Sequence, residues 1–230
     1  MPEQDNLQVQ TLSRKIAQFT VSFTLEAAPA KAIENAKLAI LDCLGVAVLA
    51  TAQEIGANLL NFANANASAG PCTVWGTSRT ASVRDAALIN GALAHGLDYD
   101  DRNHSTTYTL AASMALAESL DLSGAKMVEA FIVGREVRNS LDALFGQRSD
   151  GIGPGAKGLA FQRHPRTDRS SLLCKPCAAG DLHGWEAVAE KFNDSTAGIL
   201  AEPDAKKVIN RVNGLEKIPS IRSLSSLLKS

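Results

Sequence analysis

Apolar residues recur along most of this chain at intervals of three and four, the period of an α-helix rather than the alternation of a strand. Leu7 to Phe19 carries Leu12, Ile16 and Phe19 at that spacing. Pro29 opens a long helix with Ile33, Ala36, Ile40, Leu44 and Ala47 on one face, flanked by Leu41 and Val48. The second half of this helix is apolar nearly all round, which predicts that other helices enclose it. Ile55 to Asn64 reads as a shorter helix. Ala69-Gly70-Pro71 breaks it, and Cys72 to Trp75 reads as a short extended piece. Ser82 is the expected N-cap of the next helix, which carries Ala86, Ile89, Leu93 and Leu97 and ends near Gly96. Leu110 to Leu120 is alanine-rich and helical. Ser123-Gly124 starts another helix, with Met127, Phe131, Val133 and Val137, that runs to Phe145.

The pattern stops at Gly146. From there to Asp181 glycine, proline and arginine dominate and no apolar period survives. A stretch of roughly 35 residues without an element is uncommon inside a compact domain, so it reads as an irregular joint. Helical spacing returns at Trp185 to Leu200, with Val188, Phe192 and Ile199. It continues from Pro203-Asp204 through Val208, Val212 and Leu215, and ends in a short amphipathic piece at Ile221 to Leu228. The fold class expected is therefore all-α, a helical bundle with short connections. Its parts are 7–145, the joint 146–179, and the closing helices of 180–230.

Composition sharpens this picture in four places. Aromatic residues are only 5% of the 230 positions, which removes the usual signal of a sheet. The formal net charge is −1, so nothing argues for a nucleic-acid partner; the basic stretch Arg163 to Arg169 reads as a solvated loop. The longest apolar run, Ala39 to Ala52, is interrupted by Asp42 and is too short for a membrane span, and Met1 to Asn6 has no signal-peptide core. A cytoplasmic location is the expectation, with a mitochondrial one left open. Among the four cysteines, Cys43 and Cys72 read as buried thiols. Cys174 and Cys177 form a lone C-x-x-C without the second pair that a zinc site needs.

The informative chemistry lies in Asn90 to His104. Asp98, Asp100 and Asp101 fall within four residues at the expected C-terminus of a helix, flanked by His95 and His104. The negative end of the helix dipole disfavours each carboxylate there by about 0.3–1 kcal/mol, and the three repel one another. Such crowding tends to raise a carboxyl pKa, which suits a general acid or base. Other readings stand beside this one. The aspartates could cap the next turn or pair with Arg84 and Arg102; they could form a hard-cation site; and Asp98-Tyr99-Asp100-Asp101 also fits the D-x-D-D string of terpene-protonating cyclases, which need a much longer helical chain.

Several segments together resemble the MmgE/PrpD family. Ala36 to Gly45 (AKLAILDCLG) is similar to its early helix, and Asn90 to Asp101 (NGALAHGLDYDD) to its most recognisable motif. Ala115 to Glu118 and Ala130 to Val137 resemble the two helices that follow. Gly180-Asp181, Trp185-Glu186, Glu190 to Phe192, Leu215-Glu216 and Leu227-Leu228 resemble the C-terminal helices.

That resemblance implies a helical domain built from both chain ends, with an α/β lid domain inserted between them and the active site where the two meet. It implies a lyase of the cis-aconitate decarboxylase or 2-methylcitrate dehydratase type. Such an enzyme acts on a citrate-like tricarboxylic acid or an alkylated relative, without metal or organic cofactor, and works as a homodimer. Asp98 matches the family's active-site aspartate. Arg102 stands where threonine is usual, and His104 falls near a family histidine, so the expected catalytic pair is Asp98 and His104. Lys175, followed by Pro176, is the counterpart of a family lysine; with Arg102 it is expected to hold substrate carboxylates. Family members are about twice as long, and the joint at 146–179 stands where the lid belongs, so the α/β lid is expected to be largely absent. The alternative expectation is a truncated pseudoenzyme or gene-model fragment that serves only as a helical dimerisation domain.

Overall fold

The computed structural model describes residues 11–99, 104–145 and 184–230. The helices, in chain order, are α1 (Leu12–Ser22), α2 (Ala30–Thr51), α3 (Glu54–Asn66), α4 (Val83–His95), α5 (Ser105–Ser119), α6 (Gly124–Phe145), α7 (Trp185–Thr196), α8 (Glu202–Asn213) and the single turn α9 (Arg222–Ser225). Between α3 and α4 lies a two-stranded antiparallel ribbon, β1 (Cys72–Thr73) and β2 (Thr80–Ala81), with Cys72 opposite Ala81. This is the all-α architecture that the helical periodicity predicts.

Helix α2 is the axis of the packing. Ile40, Leu41, Leu44, Val46, Ala47 and Val48 are all fully buried, because α3, α4, α5, α6, α7 and α8 each touch it. Burying each of its large aliphatic side chains stabilises the fold by about 1.5–3 kcal/mol relative to exposure. Pro29 sits at the N-cap, and the chain bends by 81° between α2 and α3. No single helix among the described residues is long and apolar enough to cross a membrane. Gly45 explains how closely α7 approaches: a Cβ there would lie 3.1 Å from the Phe192 ring and 3.4 Å from the Phe192 Cα.

The ends of the described chain are tied across this axis. Lys37 of α2 donates to the Asn213 carbonyl at 2.7 Å and pairs with Glu216 at 3.2 Å. Backbone bonds join Gly124 to Ile218, Ile221 to Leu122 and Gly76 to Leu228. Glu118, at the end of α5, is buried. It accepts from the Thr73 N–H at 2.9 Å, the Thr73 hydroxyl at 2.7 Å and the Ser225 hydroxyl at 2.8 Å, joining β1, α5 and α9.

Two boundaries differ from the sequence expectation. Helix α1 starts at Leu12 rather than Leu7, where the Thr11 hydroxyl accepts from the Arg14 N–H. Residues 7–10 lie outside the described residues. Helix α5 starts at Ser105, five residues before Leu110, because Ser105, Thr106 and Thr107 are buried in its first turn. Their short hydroxyl side chains carry no apolar period, so the pattern hides them. Cys43 and Cys72 are buried, as expected. Burial raises the Cys72 thiol pKa, with the Glu118 carboxylate acting in the same direction.

Candidate functional site

Helix α4 presents the motif at its C-terminal end, and its N-terminal end fixes its position. The Ser82 hydroxyl accepts from the Asp85 N–H at 3.2 Å, the expected N-cap bond. Asp85 in turn accepts from the Ser68 N–H at 2.7 Å, the Ser82 hydroxyl at 2.8 Å and Arg84 Nε at 3.0 Å. These donors, led by the Ser68 N–H, lower the Asp85 pKa to about 2. Arg84 is thus engaged with Asp85 at the start of α4; the pairing of Arg84 with Asp100 or Asp101 that one sequence reading allowed falls on residues outside those described.

Asn90, the first residue of the motif, is structural. Its side chain accepts from the Trp75 N–H at 3.0 Å and donates to the Thr73 carbonyl at 2.9 Å, fastening the ribbon to α4. Gly91 faces Ala111, with room for a Cβ at 3.6 Å, so α4 and α5 pack closely side by side.

After His95 the chain turns sharply. The Gly96 N–H bonds to the Leu93 carbonyl at 3.2 Å and the Asp98 N–H to the His95 carbonyl at 3.0 Å. Asp98 and His104 both adopt left-handed backbone conformations, with φ of 50° and 51°. Aspartate and histidine tolerate that region better than most residues. Asp98 and His104 come together as a result: His104 Nε2 lies 3.7 Å from Asp98 Oδ1. The His95 and His104 rings meet edge to face, with centroids 4.4 Å apart. Donor atoms of His95, Asp98 and His104 all lie within 4.8 Å of one another, the one group among the described residues with a metal-ligand composition. The Asp98 side chain is 83% exposed and that of His104 36%, so the triad sits at the surface.

Tyr99, the next residue, is held from the far end of the chain. Lys191 on α7 donates to the Tyr99 carbonyl at 3.1 Å, and its ammonium lies 3.9 Å from the Tyr99 ring centroid. The same ammonium pairs with Asp42 of α2 at 2.6 Å, where the carboxylate is nearly buried. Beside this clamp lies a cleft of about 400 Å³, open to solvent and lined by Leu49, Tyr99, Glu190, Lys191 and Asp194 among others. Two carboxylates and a lysine already paired with Asp42 give it no net attraction for a polyanion. Sequence reasoning missed the clamp, since nothing in the local pattern around Lys191 points to Tyr99.

Of the residues expected to form the site, Asp98 and His104 are brought together. Arg102 and Lys175 lie outside the described residues, as do Asp100, Asp101, Cys174, Cys177, the basic stretch at 163–169 and the joint at 146–179.

Residues 14–157 match the family model described as the MmgE/PrpD N-terminal domain. A cis-aconitate decarboxylase of Mus musculus is 34% identical over 169 residues, covering 70% of this chain and 31% of the mouse protein. A cis-aconitate decarboxylase of Homo sapiens is 33% identical over 120 residues, covering 48% of this chain and 25% of the human one. The chain therefore spans about a third or less of the length of these relatives.

Proposed function

Because this chain belongs to the MmgE/PrpD family, we propose that it carries the helical-domain share of a lyase site for a citrate-like tricarboxylic acid or an alkylated relative, with cis-aconitate the first substrate to test. The observation that carries this reading is the convergence of Asp98 and His104 at 3.7 Å. They meet at the end of the family-like motif, inside the matched region. In a dehydration, a carboxylate base takes the proton next to a substrate carboxylate, and a second group protonates the departing hydroxyl as water. In a decarboxylation, carbon dioxide leaves, the electron pair of the broken bond forms a new double bond to the adjacent carbon, the pair of the existing double bond shifts to its far carbon, and an acid delivers a proton there. Asp98 and His104 supply one carboxylate and one imidazole for such a pair. Arg102 and Lys175 are the proposed carboxylate holders. The charge of the Lys191 cleft supports looking for them elsewhere, because the cleft itself does not suit a polyanion.

The test is turnover of cis-aconitate and of 2-methylcitrate by the full chain, against Asp98→Asn. A positioned acid–base group is worth on the order of 10²–10⁴-fold in rate, and the variant should lose that much. Turnover no higher than that of the variant would sink the lyase reading.

A second reading, a helical domain that only associates, is favoured by the exposure of Asp98 and by the small share of each relative that this chain spans. It predicts a dimer by light scattering and no turnover.

A further inference from the structure

We propose that His95, Asp98 and His104 form a binding site for a divalent transition-metal ion of the zinc, cobalt or nickel class. Their donor atoms all lie within 4.8 Å of one another, and the His104 Nε2–Asp98 Oδ1 pair is already at 3.7 Å. Bonds of about 2.0–2.2 Å to nitrogen and oxygen place neighbouring donors roughly 3–3.5 Å apart around one ion. The His104–Asp98 pair is within about 0.7 Å of that spacing and the other donor pairs within at most about 1.8 Å, a gap that side-chain rotation can close. The 83% exposure of the Asp98 side chain leaves it room to rotate.

The backbone already holds the three residues together. His95 is the last residue of α4, His104 is the N-cap of α5, and the tightly packed α4–α5 pair fixes the distance between them. The two imidazoles meet at 4.4 Å, so the rings share one space before any ion arrives. The Lys191 clamp on Tyr99 holds the residue next to Asp98. Its ammonium is paired with Asp42 at 2.6 Å, which reduces its repulsion of a cation.

The donor set selects the class of ion. Two imidazoles and one carboxylate suit zinc, nickel, cobalt and copper. Calcium and magnesium prefer oxygen donors, and calcium takes six to eight of them. Three protein donors leave positions for water or an added ligand.

This site shares Asp98 and His104 with the lyase reading but does not depend on it. A bound ion takes up the lone pairs that proton transfer would use, so in an active preparation zinc and turnover compete.

The experiment titrates the chelator-stripped full chain with Co²⁺, read by its visible d–d absorption, and with Zn²⁺ by calorimetry. The comparison proteins are His95→Ala, Asp98→Asn and a Cys174→Ser/Cys177→Ser double variant, with circular dichroism to confirm that each is folded. The parent and the cysteine variant should bind one equivalent with micromolar or tighter Kd. His95→Ala and Asp98→Asn should each weaken binding at least about tenfold, or 1.4 kcal/mol. Binding weaker than about millimolar, or binding that survives both substitutions unchanged, overturns the proposal. So does a thiolate-to-cobalt band that the cysteine variant abolishes together with binding. Metal binding by a chain that shows no turnover even when stripped of metal sinks only the lyase reading. Turnover lost in Asp98→Asn, without metal binding by the parent, sinks only the metal site.

Discussion

Replacing Lys191 by methionine keeps an unbranched side chain on α7 and removes the ammonium, with its charge and the hydrogen bond it donates. At 2.6 Å the Lys191–Asp42 attraction is large in gross terms, but desolvation of both ions offsets much of it. Breaking a fully buried pair costs about 3–5 kcal/mol, whereas exposed pairs are worth about 0.2–1 kcal/mol. Here the two side chains are 10% and 27% exposed, which places the pair between those limits, at about 2 kcal/mol. The Tyr99 contacts add about 1 kcal/mol, combining a carbonyl bond at 3.1 Å with an ammonium over the ring. Lys191→Met is therefore expected to cost about 3 kcal/mol and Asp42→Asn about 2 kcal/mol. The double variant should cost about 3 kcal/mol, because the shared pair is lost only once. Urea unfolding followed by circular dichroism measures all four proteins, with unchanged slopes showing that the unfolded states match. Additive costs in the double variant, to within about 0.5 kcal/mol, would show that the clamp does not couple α2 to α7 and would refute this reasoning.

Substitutions at two further positions test the supports of the fold. Glu118→Ala leaves the buried Thr73 N–H without its acceptor and should cost about 3 kcal/mol. Glu118→Gln should cost only about 1 kcal/mol, since its carbonyl can serve that N–H while the Thr73 and Ser225 hydroxyls rotate to accept; equal costs by urea unfolding would contradict this geometry. Asp85, with its pKa lowered to about 2 from 3.8, binds its proton more readily in the unfolded chain. Its contribution is complete above pH 3.8 and is lost as pH falls through about 2. Melting temperatures of the parent and Asp85→Asn should therefore differ at pH 6 and converge toward pH 2, and a gap that widens in acid would reverse the assignment.

The helices were legible in the sequence to the extent that apolar side chains hold them. In α2 the period ran through Ile33, Ile40 and Leu44 and then wrapped the whole helix, so both the element and its enclosure could be read. The start of α5 could not, because Ser105 to Thr107 are buried through short polar side chains. The second strand, Thr80–Ala81, is too short for any period. At the site, Asp98 and His104 were legible as neighbours of an acidic run. Their left-handed backbones and their meeting with His95 depend on how α4 closes onto α5, which no local pattern encodes. The Asn90 bonds to Thr73 and Trp75 were hidden in the same way: a motif asparagine looks the same whether it serves chemistry or fastens a ribbon.

The bonds that bind the tail of the described chain to its beginning bear on how the molecule comes into being. Lys37 waits for partners as far as 179 positions downstream, and Gly45 is covered by Phe192. When a ribosome has released the stretch matched by the family model, 14–157, the apolar side of α2 that α7 will cover is still bare. The packing around α2 is completed only when α7 and α8 have been translated. That bare apolar face makes 14–157 a poor choice of fragment to express by itself.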